Sequence, residues 1–260
     1  MYPALTNPTS CPGTSSWLVA VLDDDDGEEL FADILSPAET AELEPIRHHR
    51  RRLQAKAARC AAKCLWLHRH DRAGARVTCV RQMTEGLRSC LSRTRSVEIR
   101  YRRNHAADHC PELHDREPDK ALPRPGLSLA HCGRFVLAAI DARGPIGCDA
   151  EEISGRTDLI ESCHSPAERS WIVEDASPAS VRLAATRLWT IKEAWYKQHC
   201  AAHADWQLPF CPQAIEVDMV RSANKAWIRH PSAHFAGWAH VREFVFGNCV
   251  FTLLAMEALP

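Results

Sequence analysis

The segment from Trp189 to Lys197, WTIKEAWYK, places a carboxylate and an ammonium group one helical turn apart. Because Glu193 and Lys197 are four residues apart, both side chains can reach the same space if the segment is helical. A carboxylate there could bind a metal ion or accept a proton, and a lysine could bind phosphate. The same spacing is also typical of a solvent-exposed ion pair on an amphipathic helix, so this segment alone does not establish a site.

A second pair of acids lies upstream, in the stretch IGCDAE that ends at Glu151. Asp149 and Glu151 are two residues apart, and at the end of a strand two acids so spaced can point the same way. They could then hold a hard cation through oxygen atoms. The alternative is an ordinary acidic turn. His131 precedes the apolar run before this stretch, where a lone histidine is usually structural.

Apolar periodicity predicts the elements that position these residues. Apolar side chains recur at three- and four-residue spacing over residues 181–198, which predicts an amphipathic helix. Phe135–Ile140 and Pro145–Cys148 read as strands joined by the turn Asp141–Gly144. We therefore predict a hairpin with the acidic pair after its second strand. The stripe of the helix consists of Ala184, Leu188, Ile191 and Trp195.

The N-terminal part reads as a tail, a strand and helices. Residues 1–16 are rich in Pro, Ser and Thr and predict a loose tail. The apolar run Trp17–Leu22 predicts a buried strand. Ser36-Pro-Ala-Glu39 is a favourable helix start, with a capping residue, a proline in the first turn and an acid after it.

A basic helix is predicted between Arg47 and Arg72. This segment holds nine Lys or Arg residues against one acid, whereas residues 23–44 hold ten acids and no Lys or Arg. The basic face could bind phosphates. It could equally be a solvated face that offsets the acidic segment. Nucleic acid is a weaker candidate because no aromatic residues are interleaved with the charges.

Two further strands are predicted at Val77–Val80 and Val97–Tyr101, followed by an irregular polar stretch over residues 102–125. The stretch contains four residues that could bind zinc, but their spacing matches no common structural zinc pattern. We therefore favour a surface loop. The four residues are His105, His109, Cys110 and His114.

Composition excludes several classes of protein. The chain has 260 residues, a net charge of −1 and 45% apolar residues, which predicts a folded globular protein and not a general polyanion binder. The run Trp17–Leu22 is too short to span a membrane, and no secretory leader is recognised. We expect the 12 cysteines to be mostly buried thiols in a reducing cytoplasm.

Three motifs together resemble the 4'-phosphopantetheinyl transferases, and more closely their longer, surfactin-synthetase-activating kind. They are Ala130-His131 before a strand, Gly147-Cys-Asp-Ala-Glu151, and Trp189-x-x-Lys-Glu-x-x-x-Lys197. The helix starts at Ser36 and Ser165 and the basic helix have counterparts in the family, so the resemblance covers about residues 17–255.

The resemblance implies an α+β fold made of two similar α/β halves. Each half is expected to be a helix packed on a small antiparallel sheet, related to the other by a pseudo-twofold axis with the active site between them. After the tail of residues 1–16, the N-terminal half would span residues 17–143 and the C-terminal half residues 144–260.

The resemblance also implies the reaction. The 4'-phosphopantetheine arm of coenzyme A would move to a serine of an apo carrier protein with release of 3',5'-ADP, which is holo-carrier-protein synthase activity. Mg²⁺ would be held by Asp149, Glu151 and Glu193. Glu193 would also act as general base, and Lys197 would stabilise or protonate the leaving phosphate. The coenzyme A phosphates would be bound by His131, Lys192, Arg51, Arg59 and Lys63.

The chain departs from the family pattern in three places. The Gly-Lys-Pro of the family is replaced by His109-Cys110-Pro111, the serine before the histidine is Ala130, and the aromatic residue before Ser165 is His164. Two other functions therefore stay open: a non-catalytic protein that binds coenzyme A or a carrier, and an unrelated metal-dependent phosphohydrolase. The expected partner is a small acidic carrier domain serving secondary metabolite biosynthesis. We expect a cytoplasmic monomer with no nucleic-acid or membrane partner.

Overall fold

The computed structural model describes residues 15–68, 75–101, 110–115, 125–153, 158–174, 177–203, 206, 208–220 and 224–257. The chain is a mixed α/β protein with small sheets. Its helices are α1 (Pro37–Leu43), α2 (His49–Leu67), α3 (Val80–Ser89), α4 (Leu91–Ser96), α5 (Asp158–Cys163), α6 (Pro166–Glu174) and α7 (Pro178–Ala202). Its strands are β1 (Ser15–Val21), β2 (Ala75–Cys79), β3 (Val97–Tyr101), β4 (Pro111–Asp115), β5 (Gly126–Cys132), β6 (Phe135–Asp141), β7 (Gly147–Glu152), β8 (Glu216–Val220), β9 (Lys225–His230), β10 (Phe235–Phe246) and β11 (Cys249–Met256).

The strands form three sheets. The first has the order β2-β1-β6-β5, the second has the order β7-β11-β10-β9-β8, and β3 pairs with β4 alone. In the first sheet β1 and β2 are parallel, whereas the resemblance predicted antiparallel sheets. The difference follows from the chain path, because a helical crossover through α1 and α2 joins the two strands and returns the chain in the same direction.

The predicted hairpin between Phe135–Ile140 and Pro145–Cys148 is wrong. Both strands exist, but β6 pairs with β1 and β5, and β7 pairs with β11. The turn after Asp141 therefore carries the chain from the first sheet to the second. The stretch 102–125, predicted to be irregular, contains β4; His105 and His109 lie outside the described residues.

Strand β1 is buried on both faces, which is why its sequence is apolar without alternation. Leu18 and Ala20 pack with the helices of the first half, while Trp17 and Val19 pack against the second sheet. The layers are therefore helix, sheet, sheet and helix, with α2 and α7 outermost. The core between the sheets includes Trp17, Val19, Leu137, Ala139, Cys148, Ala150, Phe251 and Leu253.

Helix α7 confirms the predicted periodicity and is longer than predicted. It begins after Ser177, whose side chain accepts a hydrogen bond from the Ser180 amide, with Pro178 in the first turn. Its stripe packs on the second sheet as predicted. Among the described residues, neither this nor any other helix is long and apolar enough to cross a membrane.

A buried ion pair fixes α1 in the first half of the chain. Ser36 and Glu39 form a reciprocal capping box at the start of α1. The Glu39 carboxylate also accepts from the Ile99 amide at 2.9 Å and from the Lys63 Nζ at 2.7 Å. The Lys63 Nζ donates in addition to the Ile34 carbonyl at 3.0 Å. Glu39 and Lys63 have no exposed surface, so each neutralises the other in the core.

The second half contains the same set of contacts. Ser165 and Glu168 form the reciprocal box at the start of α6. The Glu168 carboxylate accepts from the Val217 amide and from the Lys192 Nζ, which also donates to the Cys163 carbonyl. The lysine follows the glutamate by 24 residues in both sets, and the carbonyl precedes the lysine by 29 residues in both. The same local arrangement thus occurs once beside each large sheet.

A cluster of rings closes the C-terminal end of α7. The buried imidazole of His199 stacks on Trp195 with centroids 4.9 Å apart and touches the ring of Trp206. Burial, together with smaller effects of the nearby His203 and His230, lowers the pKa of His199 to about 4. The imidazole is therefore neutral in the folded protein at neutral pH.

We expect His199 to make the fold less stable in acid. Its folded pKa lies below the ordinary value of about 6.5, so the unfolded chain binds more protons between these two values. His199 does not reduce the free energy of unfolding above pH ~6.5. As the pH drops towards 4, its protonation in the unfolded chain lowers the free energy of unfolding by about 1–3 kcal/mol. Urea unfolding of His199→Phe across this range should show a flatter pH dependence than wild type. Equal slopes would contradict the expectation.

Candidate active site

Two elements of the second half bring the acidic residues together. Strand β7 carries Asp149 and Glu151 on one face, and α7 presents Glu193 and Lys197 from successive turns. The Lys197 Nζ lies 2.6 Å from the Asp149 Oδ1 and 3.7 Å from the Glu193 Oε2. The Trp189 Nε1 donates to the Glu151 Oε1 at 3.3 Å. All four predicted groups therefore meet where β7 lies against α7.

Gly147 lets β7 approach α7 this closely. A Cβ added at this position would lie 1.8 Å from the Ala194 carbonyl oxygen, which is far inside contact distance. Further along the strand, Asp149 is opposite Thr252 of β11, whose hydroxyl lies 2.7 Å from that of Thr190 on α7. The glycine of the motif is thus required by packing, and the threonine pair joins the neighbouring strand β11 to the same helix.

We expect Gly147→Ala to destabilise the protein by about 1–3 kcal/mol or more, because β7 and α7 must separate to admit the methyl group. The same change should reduce metal binding, since the acids sit on both elements. The matched control is Gly86→Ala in α3, where a Cβ meets nothing within 4 Å and helix propensity should favour alanine. Urea unfolding of both variants checks this; equal stabilities would contradict the packing role.

The carboxylates repel each other in a partly buried site. Burial, together with the neighbouring charges of Asp149 and Glu193, raises the pKa of Glu151 to about 7. Burial is also the main cause that raises the pKa of Glu193. Burial alone would lower the pKa of Lys197, but the charges of Asp149 and Glu193 outweigh it and raise the pKa. The site thus carries more negative charge than its lysine neutralises.

The donor set fits a hard divalent cation. The Asp149 Oδ2 is buried and has no hydrogen-bond partner among the described residues, so it has a free acceptor position. Three carboxylates near one another are the oxygen donors that Mg²⁺ prefers. Among the described residues, however, no group of three His, Cys, Asp or Glu side chains is already arranged as a metal site. Lys197 lies between Asp149 and Glu193, so a cation would have to replace its contact with them.

His131 and Arg51 border the site from the first half. His131 is exposed near the end of β5, and its pKa is lowered first by partial desolvation and then by the charges of Lys197 and Arg51. Asp149 acts on the same imidazole in the opposite direction. Arg51 is exposed in the first turn of α2, whose N-cap is His48. Both side chains are exposed, and the charges of Lys197 and Arg51 act on the same imidazole.

Lys192 requires a correction, since it cannot hold a phosphate in this structure. It has no exposed surface, and its ammonium group donates to the Cys163 carbonyl, the Glu168 carboxylate and the Pro212 carbonyl at 2.7–2.9 Å. An ammonium group has three donors, and all three are used. The side chain points into the core, away from Lys197.

Lys63 and Arg59 need the same correction. Lys63 is fully buried in the ion pair with Glu39. Arg59 is 2% exposed, donates to the Glu42 carboxylate at 2.9 Å and lies over the Tyr101 ring at 5.0 Å. Both side chains face the core of the first half, where Glu39 and Glu42 pair with them. Of the predicted residues on this helix, Arg51 alone is exposed.

The sequence did not assign roles to several groups that support the site. Trp189 belongs to the recognised motif, but its hydrogen bond to Glu151 depends on where β7 lies. The Ser128 hydroxyl accepts from the Cys148 amide at 2.9 Å and so joins β5 to β7. Neither this bond nor the Thr190–Thr252 pair leaves a signal in the sequence, because each joins segments that are distant along the chain. Of the proposed zinc ligands, Cys110 packs with Cys200, and His114 lies 3.4 Å from Glu112.

Comparison with known proteins gives a match within the second half of the chain. A search of curated proteins found no match. Residues 145–246 match the family model of the 4'-phosphopantetheinyl transferase superfamily. The matched segment contains Asp149, Glu151, Glu193 and Lys197, and it does not include α2, His131 or Arg51. The match supports this superfamily for the part of the chain in which the acidic site is built.

Proposed function

We propose that the protein transfers the 4'-phosphopantetheine arm of coenzyme A to a serine of an apo carrier protein, with Mg²⁺, and releases 3',5'-ADP. The observation that carries the proposal is the meeting of three carboxylates and Lys197 between β7 and α7, inside the matched segment. Such a holo-carrier-protein synthase needs oxygen ligands for the metal, a base for the serine and a cation near the leaving phosphate.

The roles follow from position. Asp149, Glu151 and Glu193 would hold the metal ion, which when bound neutralises and orients the pyrophosphate of coenzyme A. Glu193 would accept the proton of the attacking serine hydroxyl, directly or through a water. Lys197, 29% exposed, would donate to the phosphate oxygen that leaves.

The first half would supply the rest of the binding site. His131 and Arg51 would donate to coenzyme A phosphates, and the carrier would approach from the same open side. The repeated contact sets around Lys63 and Lys192 support a proposal that the two halves, residues 17–143 and 144–260, are similar units related by a pseudo-twofold axis. The surfactin-synthetase-activating type, a role in secondary metabolism and a cytoplasmic, monomeric protein are proposed on the sequence resemblance.

The decisive experiment mixes the protein with coenzyme A, Mg²⁺ and a generic apo carrier, then weighs the intact carrier. A gain of one phosphopantetheine that disappears with EDTA is the expected result. Glu151→Gln should lose the activity, while the neighbouring Glu152→Gln is the matched control because Glu152 is exposed on the other face of β7. Absence of any gain with a panel of carriers, although coenzyme A binds, would contradict the transferase.

A non-catalytic protein that binds coenzyme A or a carrier is the second candidate. One observation favours it: Arg59, Lys63 and Lys192 are committed to contacts in the core, which leaves fewer cations for the phosphates. Calorimetric titration with coenzyme A, with and without Mg²⁺, distinguishes the candidates. Binding that does not respond to Mg²⁺, together with no carrier modification, would favour this second candidate.

Lys197→Met should bind metal more tightly than wild type. The ammonium group now neutralises Asp149 and Glu193, and its removal leaves their charge for a cation. We expect the affinity for Mn²⁺, used as a spectroscopic probe for Mg²⁺, to rise about tenfold while transfer activity falls. Lys225→Met is the control, because Lys225 at the start of β9 pairs with Glu257, just beyond the end of β11, and with none of the three site carboxylates. Weaker Mn²⁺ binding in Lys197→Met would contradict this arrangement of charges.

A further inference from the structure

Two pairs of buried cysteines join the first half of the chain to the second. Cys132, the last residue of β5, lies with its Sγ 3.7 Å from the Sγ of Cys249, the first residue of β11. Cys110 at the start of β4 packs with Cys200 near the end of α7. Each pair brings together residues from different sheets or helices. The Cys132–Cys249 pair is the better defined, since its two sulfur atoms face each other across the core between the large sheets.

The two sulfur atoms of this pair are already in van der Waals contact. A disulfide requires them to approach further, from 3.7 Å to about 2.05 Å. Both cysteines also stand beside a turn that contains a glycine in the left-handed region, Gly133 with φ 55° and Gly247 with φ 61°. These turns can absorb a small backbone shift without moving the centre of either sheet.

The two thiols are hydrogen-bonded to each other, with their sulfur atoms 3.7 Å apart. Once either sulfur has been oxidised, the other is therefore already in position to attack it. Both side chains are at most 9% exposed, which disfavours a bulky oxidant such as oxidised glutathione and makes a small peroxide the oxidant that fits the site.

We propose that Cys132 and Cys249 are an oxidation site that takes a small peroxide and forms a disulfide between the two sheets. In the first step the thiolate of one cysteine of the pair attacks one peroxide oxygen, the O–O bond breaks, and hydroxide leaves to give a sulfenic acid. In the second step the sulfur of the other cysteine attacks the sulfenic sulfur, the S–O bond breaks and water leaves. In total, two thiols and one hydrogen peroxide give one disulfide and two waters. The proposal does not depend on the transferase function.

The crosslink would change the stability of the whole molecule. It joins residues 117 positions apart and so closes a long loop, which restricts the unfolded chain. It also fixes β5, which carries His131, to β11, the strand that pairs with the acidic strand β7. Oxidised protein should therefore melt at a higher temperature than reduced protein.

Trypsin makes the test specific. The peptides 121–134 and 243–260 each contain one cysteine, Cys132 and Cys249, so a linked pair has a unique mass. Native protein treated with stoichiometric hydrogen peroxide and then blocked with an alkylating agent should yield this linked peptide. The melting temperature should rise, and dithiothreitol should reverse both changes.

Two variants control the test. Cys249→Ala should lose the linked peptide and the rise in melting temperature, while Cys200→Ala, in the other buried pair, should keep both. The exposed Cys211 reports that the oxidant has acted. If Cys211 is oxidised while Cys132 and Cys249 are both recovered alkylated, the proposal is overturned. A linked peptide that forms only in urea, or further oxidation of Cys249 without linkage, would overturn it as well.

Discussion

Glu193→Ala is expected to lower the rate of carrier modification by about 10²–10⁴-fold, because it removes a proposed metal ligand and the proposed base together. The side chain is 23% exposed, and among the residues that the structure describes it forms an ion pair with Lys197 alone, so the fold should lose little stability. The rate is measured by intact mass of the carrier at saturating coenzyme A. Mn²⁺ binding measured in parallel reports the ligand role separately from the base role.

The control for this variant is Glu152→Ala, which removes an exposed carboxylate near the same site. It should retain both activity and metal affinity. Near-normal turnover in Glu193→Ala, with a melting temperature like that of wild type, would remove Glu193 from the mechanism. A change of activity that follows a loss of folded protein would instead mark it as structural.

Lys192→Met is expected to destabilise the fold by about 3–5 kcal/mol, because it leaves the buried Glu168 carboxylate without its cation. The two carbonyl groups that accept from the Lys192 Nζ would lose a partner as well. Loss of activity in this variant should therefore accompany unfolding, in contrast to Lys197→Met. Urea unfolding and circular dichroism at 25 °C measure the difference.

The repeated contact set provides a matched comparison. Lys63→Met, which breaks the corresponding pair with Glu39, should cost a similar free energy of unfolding. The double variant Lys192→Met with Glu168→Leu should recover part of the loss, because it removes the uncompensated charge. A folded, stable Lys192→Met protein that binds coenzyme A weakly would restore the original prediction that Lys192 holds phosphate.

Apolar spacing and capping residues predicted the helices correctly, but they did not predict which strands pair with each other. The stripe that includes Leu188 and Trp195 predicted α7, and the capping residue Ser36 predicted the start of α1. The hairpin was wrong because an apolar run, a turn and a second run look the same whether the strands pair with each other or with distant partners. The parallel pair of β1 and β2 is likewise set by the path of α2.

For the site, spacing identified the groups but not the direction in which each side chain points. Asp149 and Lys197, which belong to two different motifs, lie 2.6 Å apart. Lys192, in the same motif, points into the core because Glu168 is buried there to receive it. A lysine is ordinarily expected at the surface. The burial of Lys192 could therefore be recognised only from the position of α6, which carries its partner Glu168.

The apolar core between the two large sheets limits how the chain can be divided. Trp17 stacks on Phe244 with ring centroids 4.4 Å apart, and Phe135 packs on Phe251, so each half covers the other's hydrophobic face. A fragment cut between residues 143 and 144 would expose that face to water and would be prone to aggregate. Separate expression of the halves should therefore give insoluble material, and co-expression should be needed to recover a soluble pair.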